Sequence, residues 1–184
     1  LFRRVQKDGK DVRFEKAKTH FFWFLQYWMG QALWVSLTAC AAIIAILSPE
    51  EDTLPVLAML GMALWLTGFT IESISDYQKR VFRKENNPIK SFIQTGLWAR
   101  SRHPNYFGEI TLWTGIAIIA LNTLAGIEYI TLISPVFVYI LLTRMSGVNL
   151  LERIADERYG ELEEYQRYKI NTPVLIPKLS KDKN

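Results

Sequence analysis

Cysteine is almost absent from this chain. The one cysteine, Cys40, lies inside an apolar run, so a disulfide framework and a cysteine-based metal cluster are both excluded. It reads as a small core residue, and no metal site is expected. Basic residues are missing from two short connections, Ser48–Thr53 and Asn122–Glu128, which carry Glu50, Glu51, Asp52 and Glu128 instead. Internal repeats and low-complexity tracts are lacking, and no secretory-signal pattern is visible.

What is present is sorted into blocks. The chain is 49% hydrophobic and 22% charged, an ordinary balance for a soluble domain, but the two classes are segregated. Phe21–Leu47 is an almost uncharged run of 27 residues, long enough to cross a bilayer with tilt. Leu54–Ile71, Tyr106–Leu124 and Ile127–Leu142 follow as further apolar runs. The last two are short or interrupted by Glu109, Gly115, Asn122 and Pro135, so a buried soluble helix is the competing reading for each.

The basic residues decide between these readings. Residues 1–20 hold seven Lys/Arg, residues 71–105 hold seven and residues 143–184 hold eight, which together are all 22 in the chain. Under the positive-inside rule this predicts an all-α integral membrane protein with about four transmembrane helices and both termini cytoplasmic. The net charge of +4 is then a topology signal that calls for no nucleic-acid partner. Membrane lipids and a lipophilic small molecule are the expected partners. One membrane domain is expected over residues 1–184. Leu1-Phe2 directly before Arg3-Arg4 resembles the end of an earlier hydrophobic segment, so a preceding N-terminal segment is expected.

Chemically rich residues gather in the basic segments. Ile71–Arg83 continues the second run, and at 100° per residue Glu72, Asp76, Lys79, Arg80 and Arg83 share an arc of roughly 100°. Such a face is either solvated and laced with ion pairs or part of an anion pocket, where arginines grip phosphates bidentately. A turn is expected at Lys84-Glu85-Asn86-Asn87-Pro88. Arg102, His103, Asn105, Tyr106 and Glu109 then crowd the entrance to the third run. Ser101 and Asn105 are candidate caps for it, and Pro104 restricts His103 to an extended conformation. Glu109 lies one turn into the apolar segment, where ionisable residues are usually paired and functional. The C-terminal part predicts short amphipathic helices, Val148–Tyr159 with Gly160 as C-cap and Leu162 to about Tyr168, stopped by Thr172-Pro173. They either lie on a membrane surface or close over a ligand.

Ser101-Arg102-His103-Pro104-Asn105-Tyr106-Phe107-Gly108-Glu109, followed by a run with Trp113 and Gly115, resembles the C-terminal domain of the steroid 5-alpha-reductase family. The likeness is greatest to its microbial branch known as a domain of unknown function. Leu151-Glu152-Arg153, Asp156-Glu157-Arg158-Tyr159-Gly160, Glu164-Tyr165, Tyr168 and Thr172-Pro173-Val174-Leu175-Ile176-Pro177 fit that branch too. The resemblance covers about residues 60–177.

It implies a helical membrane fold holding NADPH in a cytoplasm-facing cavity and reducing a conjugated carbon–carbon double bond in a steroid- or isoprenoid-like lipophilic substrate. Carried residue by residue, it implies cofactor contacts at Asp76, Arg80, Arg83, Asn105, Tyr106, Glu109, Arg158, Tyr165 and Tyr168. Tyr106 and Glu109 are the candidates for the catalytic acid. This chain departs from the steroid reductases at Glu72, where they have an amide, and at His103-Pro104. Their own acid, a Tyr supported by a Glu, belongs to an N-terminal segment outside these residues.

Two other classes compete. The Arg-His-Pro-x-Tyr pattern also resembles isoprenylcysteine carboxyl methyltransferases, for which the cofactor is S-adenosylmethionine. The third reading is a non-catalytic subunit that keeps the fold within a larger membrane complex.

Overall fold

A computed structural model describes residues 19–48, 55–85, 91–145 and 147–178. The basic N-terminal segment, the acidic connection at Glu50–Asp52 and the turn at Asn86-Asn87-Pro88 lie outside the described residues. The described residues are mostly helical and contain no strand.

Helix α1 covers Phe21–Leu47 and matches the first apolar run. Ser48 ends it by turning its backbone N–H and its hydroxyl onto the Ile44 carbonyl, both at 2.9 Å. The chain divides into two compact units at Leu37/Thr38, within this helix. In the first unit Phe21, Phe22, Trp28, Met29 and Leu33 are all largely exposed. Burying so continuous an apolar surface in lipid removes a cost that water would impose.

The second unit starts at Thr38. Helix α2, Pro55–Glu85, has 31 residues and takes in both the second apolar run and the polar face beyond Ile71. Pro55 opens it, at the position where a missing N–H costs nothing. At 1.5 Å per residue it is roughly 46 Å long, against a hydrocarbon core of about 30 Å. The helix is thus longer than a crossing needs, and its C-terminal part carries the charged face.

Helix α3, Pro104–Ala120, has 17 residues and stops short of the expected Leu124. Asn122 and Thr123 hydrogen-bond through their side chains to the carbonyls of Ile119 and Ala120, which satisfies the last turn and bends the chain away. Leu124 then packs with Ala41 and Ala120 in a small buried cluster. Neither expected cap operates at the other end. His103 is the N-cap residue, with no side-chain cap bond, and Ser101 is engaged elsewhere.

The fourth run is not one regular helix. A 3-10 stretch, Gly126–Leu132, leads into α4, Ile133–Ile140, and a π turn, Leu141–Met145. Pro135 is tolerated because it sits in the first turn of α4. The stretch is tied to the start of this unit by Ser134 Oγ donating to the Thr38 carbonyl and by a Cys40 Sγ contact of 3.3 Å to the Thr131 carbonyl. Helices α5, Val148–Tyr159, and α6, Glu163–Asn171, complete the fold. Gly160 is the C-cap of α5 as expected, but in right-handed conformation, with φ −56°.

Among the described residues, three helical stretches, Phe21–Leu47, Val56–Glu85 and Gly126–Tyr159, are long and apolar enough to cross a membrane. Helix α3, about 25 Å long, is shorter and pairs with α2 along a seam of small residues. A Cβ on Gly61 would lie 2.6 Å from the Gly115 carbonyl oxygen, and one on Gly115 would lie 2.6 Å from the Gly61 oxygen. One helical heptad further, Gly68 and Gly108 stand in the same relation, a Cβ on Gly108 falling 2.6 Å from the Glu72 nitrogen. The antiparallel backbones touch, as small residues permit between apolar helices. Ser75, seven residues further along α2, and Ser101, in the loop before α3, are both fully buried.

Candidate functional site

Beyond this seam the chain closes a cavity of about 180 Å³ between the charged end of α2, the segment Ser91–His103, α5 and α6. Its floor is Trp98, 3% exposed, in a 3-10 turn that Gly96 starts at φ 63°. That left-handed conformation favours glycine. Trp98 Nε1 donates to the Ser75 carbonyl at 3.1 Å, and Lys79 Nζ lies 4.6 Å from the ring centroid. The wall is aromatic. Phe92 contacts Tyr159, Tyr165 and Tyr168 with centroids 5.2–5.6 Å apart. Tyr165 donates to Asp156 Oδ1 at 3.0 Å and Tyr168 donates to the Trp98 carbonyl at 2.7 Å. Burial pushes both phenols up from the usual tyrosine range, so at neutral pH they are uncharged lining.

The charge comes from Lys79, Arg83, Arg102 and Arg158, which all line the cavity, while Glu152 is the one carboxylate among the lining residues. Glu152 is already shared: one carboxylate oxygen pairs with Arg102 Nη1 and the other lies 2.8 Å from His103 Nε2. His103 in turn stacks on Tyr106, with centroids 5.5 Å apart and planes 8° off parallel.

The two sequence motifs meet here. Backbone N–H groups of Arg102 and His103 donate to the carbonyls of Pro173 and Val174 at 2.9 and 3.1 Å, and Lys178 N–H donates to the Arg100 carbonyl at 3.0 Å. Ser101 Oγ donates to the Leu175 carbonyl at 2.8 Å and accepts from the His103 N–H at 3.2 Å. The segment Pro173–Lys178 is thus a strap along the loop that carries Arg102 and His103.

The polar face read from the sequence divides into two groups. Arg83 lines the cavity, as do Arg158, Tyr165 and Tyr168. Asp76, Arg80, Asn105, Tyr106 and Glu109 do not. Glu72, Asp76 and Glu109 instead lie close enough for their charges to act on one another, with Tyr106 beside them. Arg80 is exposed, with its guanidinium 5.6 Å from the Tyr77 ring centroid.

The reading from sequence placed Lys79 on the polar face and Arg102 and His103 at the entrance to the third run, and named none of Lys79, Phe92, Trp98, Arg102, His103, Glu152 or Tyr159 as a cofactor contact. For Lys79 the signal was its place on the Arg83 face. For Glu152 nothing local pointed to Arg102, about fifty positions away.

Among the described residues, four buried side-chain polar atoms have no hydrogen-bond partner: Thr38 Oγ1, Arg102 Nε, His103 Nδ1 and Asn105 Oδ1. Arg102 and His103 lie in the loop on the cavity wall, and Asn105 in the first turn of α3. Leaving such an atom unpaired costs about 1–3 kcal/mol. Surplus cations and flat aromatic walls fit a phosphate-bearing nucleotide. The cavity is below the roughly 300–1,000 Å³ usual for whole ligands, so it suits one end of a dinucleotide.

Residues 1–172 match the family described as "Protein of unknown function (DUF1295)". The chain belongs to this family. The DUF1295 family is linked to the steroid 5-alpha-reductases, in line with the motif resemblance. Among curated proteins the chain is 30% identical over 119 residues to 3-oxo-5-alpha-steroid 4-dehydrogenase 1 of Mus musculus, covering 65% of this chain and 41% of that protein. The Rattus norvegicus protein of the same name gives 30% over 119 residues, 65% and 40%. The Homo sapiens one gives 38% over 60 residues, 33% and 23%. The chain thus matches about two fifths of the length of the rodent relatives. No solved structure matches.

Proposed function

We propose that this DUF1295 chain holds NADPH for a membrane reductase that reduces a conjugated carbon–carbon double bond in a lipophilic substrate. The observation that carries the reading is the cavity: four cations and one already shared carboxylate beside an aromatic wall. A steroid or isoprenoid reaching the site through lipid fits the apolar helices. When bound, NADPH supplies the hydride. Arg83 and Arg158 hold its phosphates by charge-assisted bonds, Tyr165 and Tyr168 form the flat wall, and Asp76, Asn105 and Glu109 bind the polar groups of its other end. Tyr106 and Glu109 are the candidates for delivering the proton. Four crossings with both termini cytoplasmic would put the cavity on the side where NADPH is found.

The test is NADPH binding to the detergent-purified protein by quenching of its tryptophan fluorescence, with S-adenosylmethionine as the contrasting ligand. Arg83→Ala and Arg158→Ala are each expected to weaken NADPH binding about 10- to 100-fold, the equivalent of roughly 1.5–3 kcal/mol for a bond to a charged group. Arg80→Ala, outside the cavity, is expected to have a much smaller effect. Binding of the methyl donor in place of NADPH would move the chain to the methyltransferase class. Binding of neither would leave a non-catalytic subunit as the better account.

A further inference from the structure

Six of the eight residues from Phe21 to Trp28 are aromatic: Phe21, Phe22, Trp23, Phe24, Tyr27 and Trp28. All six are exposed, between 47% and 81%. Phe21 meets Phe22 edge-on with ring centroids 5.9 Å apart, and Phe24 meets Trp28 at 6.0 Å, both contacts lying within α1 itself. At roughly 100° per residue the six are spread round the whole circumference, with no gap wider than about 100°. A helix that packs on one neighbour gathers its large apolar side chains into a stripe. A complete ring at one level suits surroundings that are alike on every side, as a layer of a bilayer is.

Helix length determines which layer. Without its first eight residues the 27-residue α1 keeps 19, Met29–Leu47. These rise about 28 Å at roughly 1.5 Å per residue, close to the roughly 30 Å of a hydrocarbon core. With that core filled, Phe21–Trp28 stands at the level of the headgroups, where Trp and Tyr rings find both an apolar bed and polar partners. The charge of the sequence agrees. Residues 1–20 hold seven Lys/Arg against three acidic residues, a balance that draws a juxtamembrane segment to an anionic surface.

We propose that Phe21–Trp28 is an interfacial collar that seats α1 in the headgroup layer of a leaflet containing anionic phospholipid. The rings wedge among headgroups and upper acyl chains on all sides of the helix, and the positive charge of the preceding sequence selects the lipid. The collar sets the depth of α1. Sliding inward would carry the indole N–H groups of Trp23 and Trp28 away from polar partners, and sliding outward would expose Met29–Leu47 to water. The inference is independent of the NADPH reading.

The experiment reconstitutes the full chain into vesicles of mixed phosphatidylcholine and phosphatidylglycerol. A nitroxide is placed at Phe22→Cys or, in a separate protein, at Leu33→Cys, each with Cys40→Ser. Accessibility to oxygen and to a water-soluble nickel complex gives the depth of each label. The label at 22 is expected in the headgroup layer and the one at 33 in the hydrocarbon, up to about 16 Å deeper. Changing Phe21, Trp23, Phe24, Tyr27 and Trp28 to Leu keeps the segment apolar and helix-forming. It should draw the label at 22 into the hydrocarbon. Bromine on the upper acyl chain of phosphatidylglycerol should quench Trp23 and Trp28, read as the difference from the Trp23→Phe, Trp28→Phe protein. That quenching should be about two- to fivefold stronger than with the same fraction of brominated phosphatidylcholine.

A label at 22 found in bulk water or deep in the hydrocarbon of the otherwise unchanged protein would overturn the proposal. So would an unchanged depth after the five leucine substitutions, because the aromatic rings would then not be the anchor. Spin–spin broadening between copies at residue 22 would show a second chain covering the collar in place of lipid, and equal quenching by the two lipids would remove the anionic partner. Either result overturns the assignment.

Discussion

Trp98 shows how one side chain serves two ends. It is buried against α2, its indole N–H reaches the Ser75 carbonyl, and its ring face receives Lys79. Trp98→Phe would remove the hydrogen bond and leave a small void, which together cost about 1–3 kcal/mol. The expected result is a lower melting temperature in detergent. Tyr165→Phe tests a neighbouring contact. It deletes the bond to Asp156 and keeps the aromatic packing on Phe92, so a smaller loss of about 0.5–1.5 kcal/mol is expected. At this scale the sequence was partly readable. Arg83, Arg158, Tyr165 and Tyr168 were nominated and line the cavity, because charge and aromaticity on a helix face are local properties. Lys79 and Glu152 stood on faces already described, but what they touch depends on segments far away in the chain.

At the scale of elements, the α2–α3 seam decides where the site forms. Its glycines recur seven apart in each helix, at 61 and 68 and at 108 and 115, a pattern present in the sequence but ambiguous until the partner helix is known. Gly108→Ala would drive a Cβ to 2.6 Å from the Glu72 nitrogen. Separating the helices at that point is expected to cost about 1–3 kcal/mol or more. Gly30→Ala is the control. A Cβ there meets nothing within 4 Å, so better helix propensity should make it neutral or stabilising by up to about 1 kcal/mol. Thermal unfolding of the two variants, measured in parallel, compares these outcomes directly. The strap offers a second test. A chain ending at Thr172 loses the bonds to Arg100, Ser101, Arg102 and His103, and is expected to lose NADPH binding while its circular dichroism stays helical.

For the whole molecule the proposal is four crossings with both ends on one side. Cysteine placed at Ile127 and, in a separate protein, at Glu161, each with Cys40→Ser, can be labelled in oriented vesicles with a membrane-impermeant maleimide. The two positions are expected to label from opposite sides. Labelling of both from the same side would remove the crossing between them and sink the four-span topology. Because α2 is roughly 46 Å long, its charged end and α5–α6 are expected to stand clear of the lipid together.

The helical, apolar and blockwise character of this protein follows from the sequence by itself. Hydrophobic run length and the placement of Lys and Arg are summed locally, and lipid acts on those sums. The positions of α1, α2 and the C-terminal pair were readable for the same reason. Only the tertiary structure determined that α3 ends early, that the fourth run breaks into three helical types, and that the polar face of α2 splits between a cationic cavity and an acidic cluster. Each of those outcomes depends on which backbones approach across a glycine seam, and on a strap some seventy residues away pairing with the loop at Arg102 and His103. No property of either segment alone contains that juxtaposition.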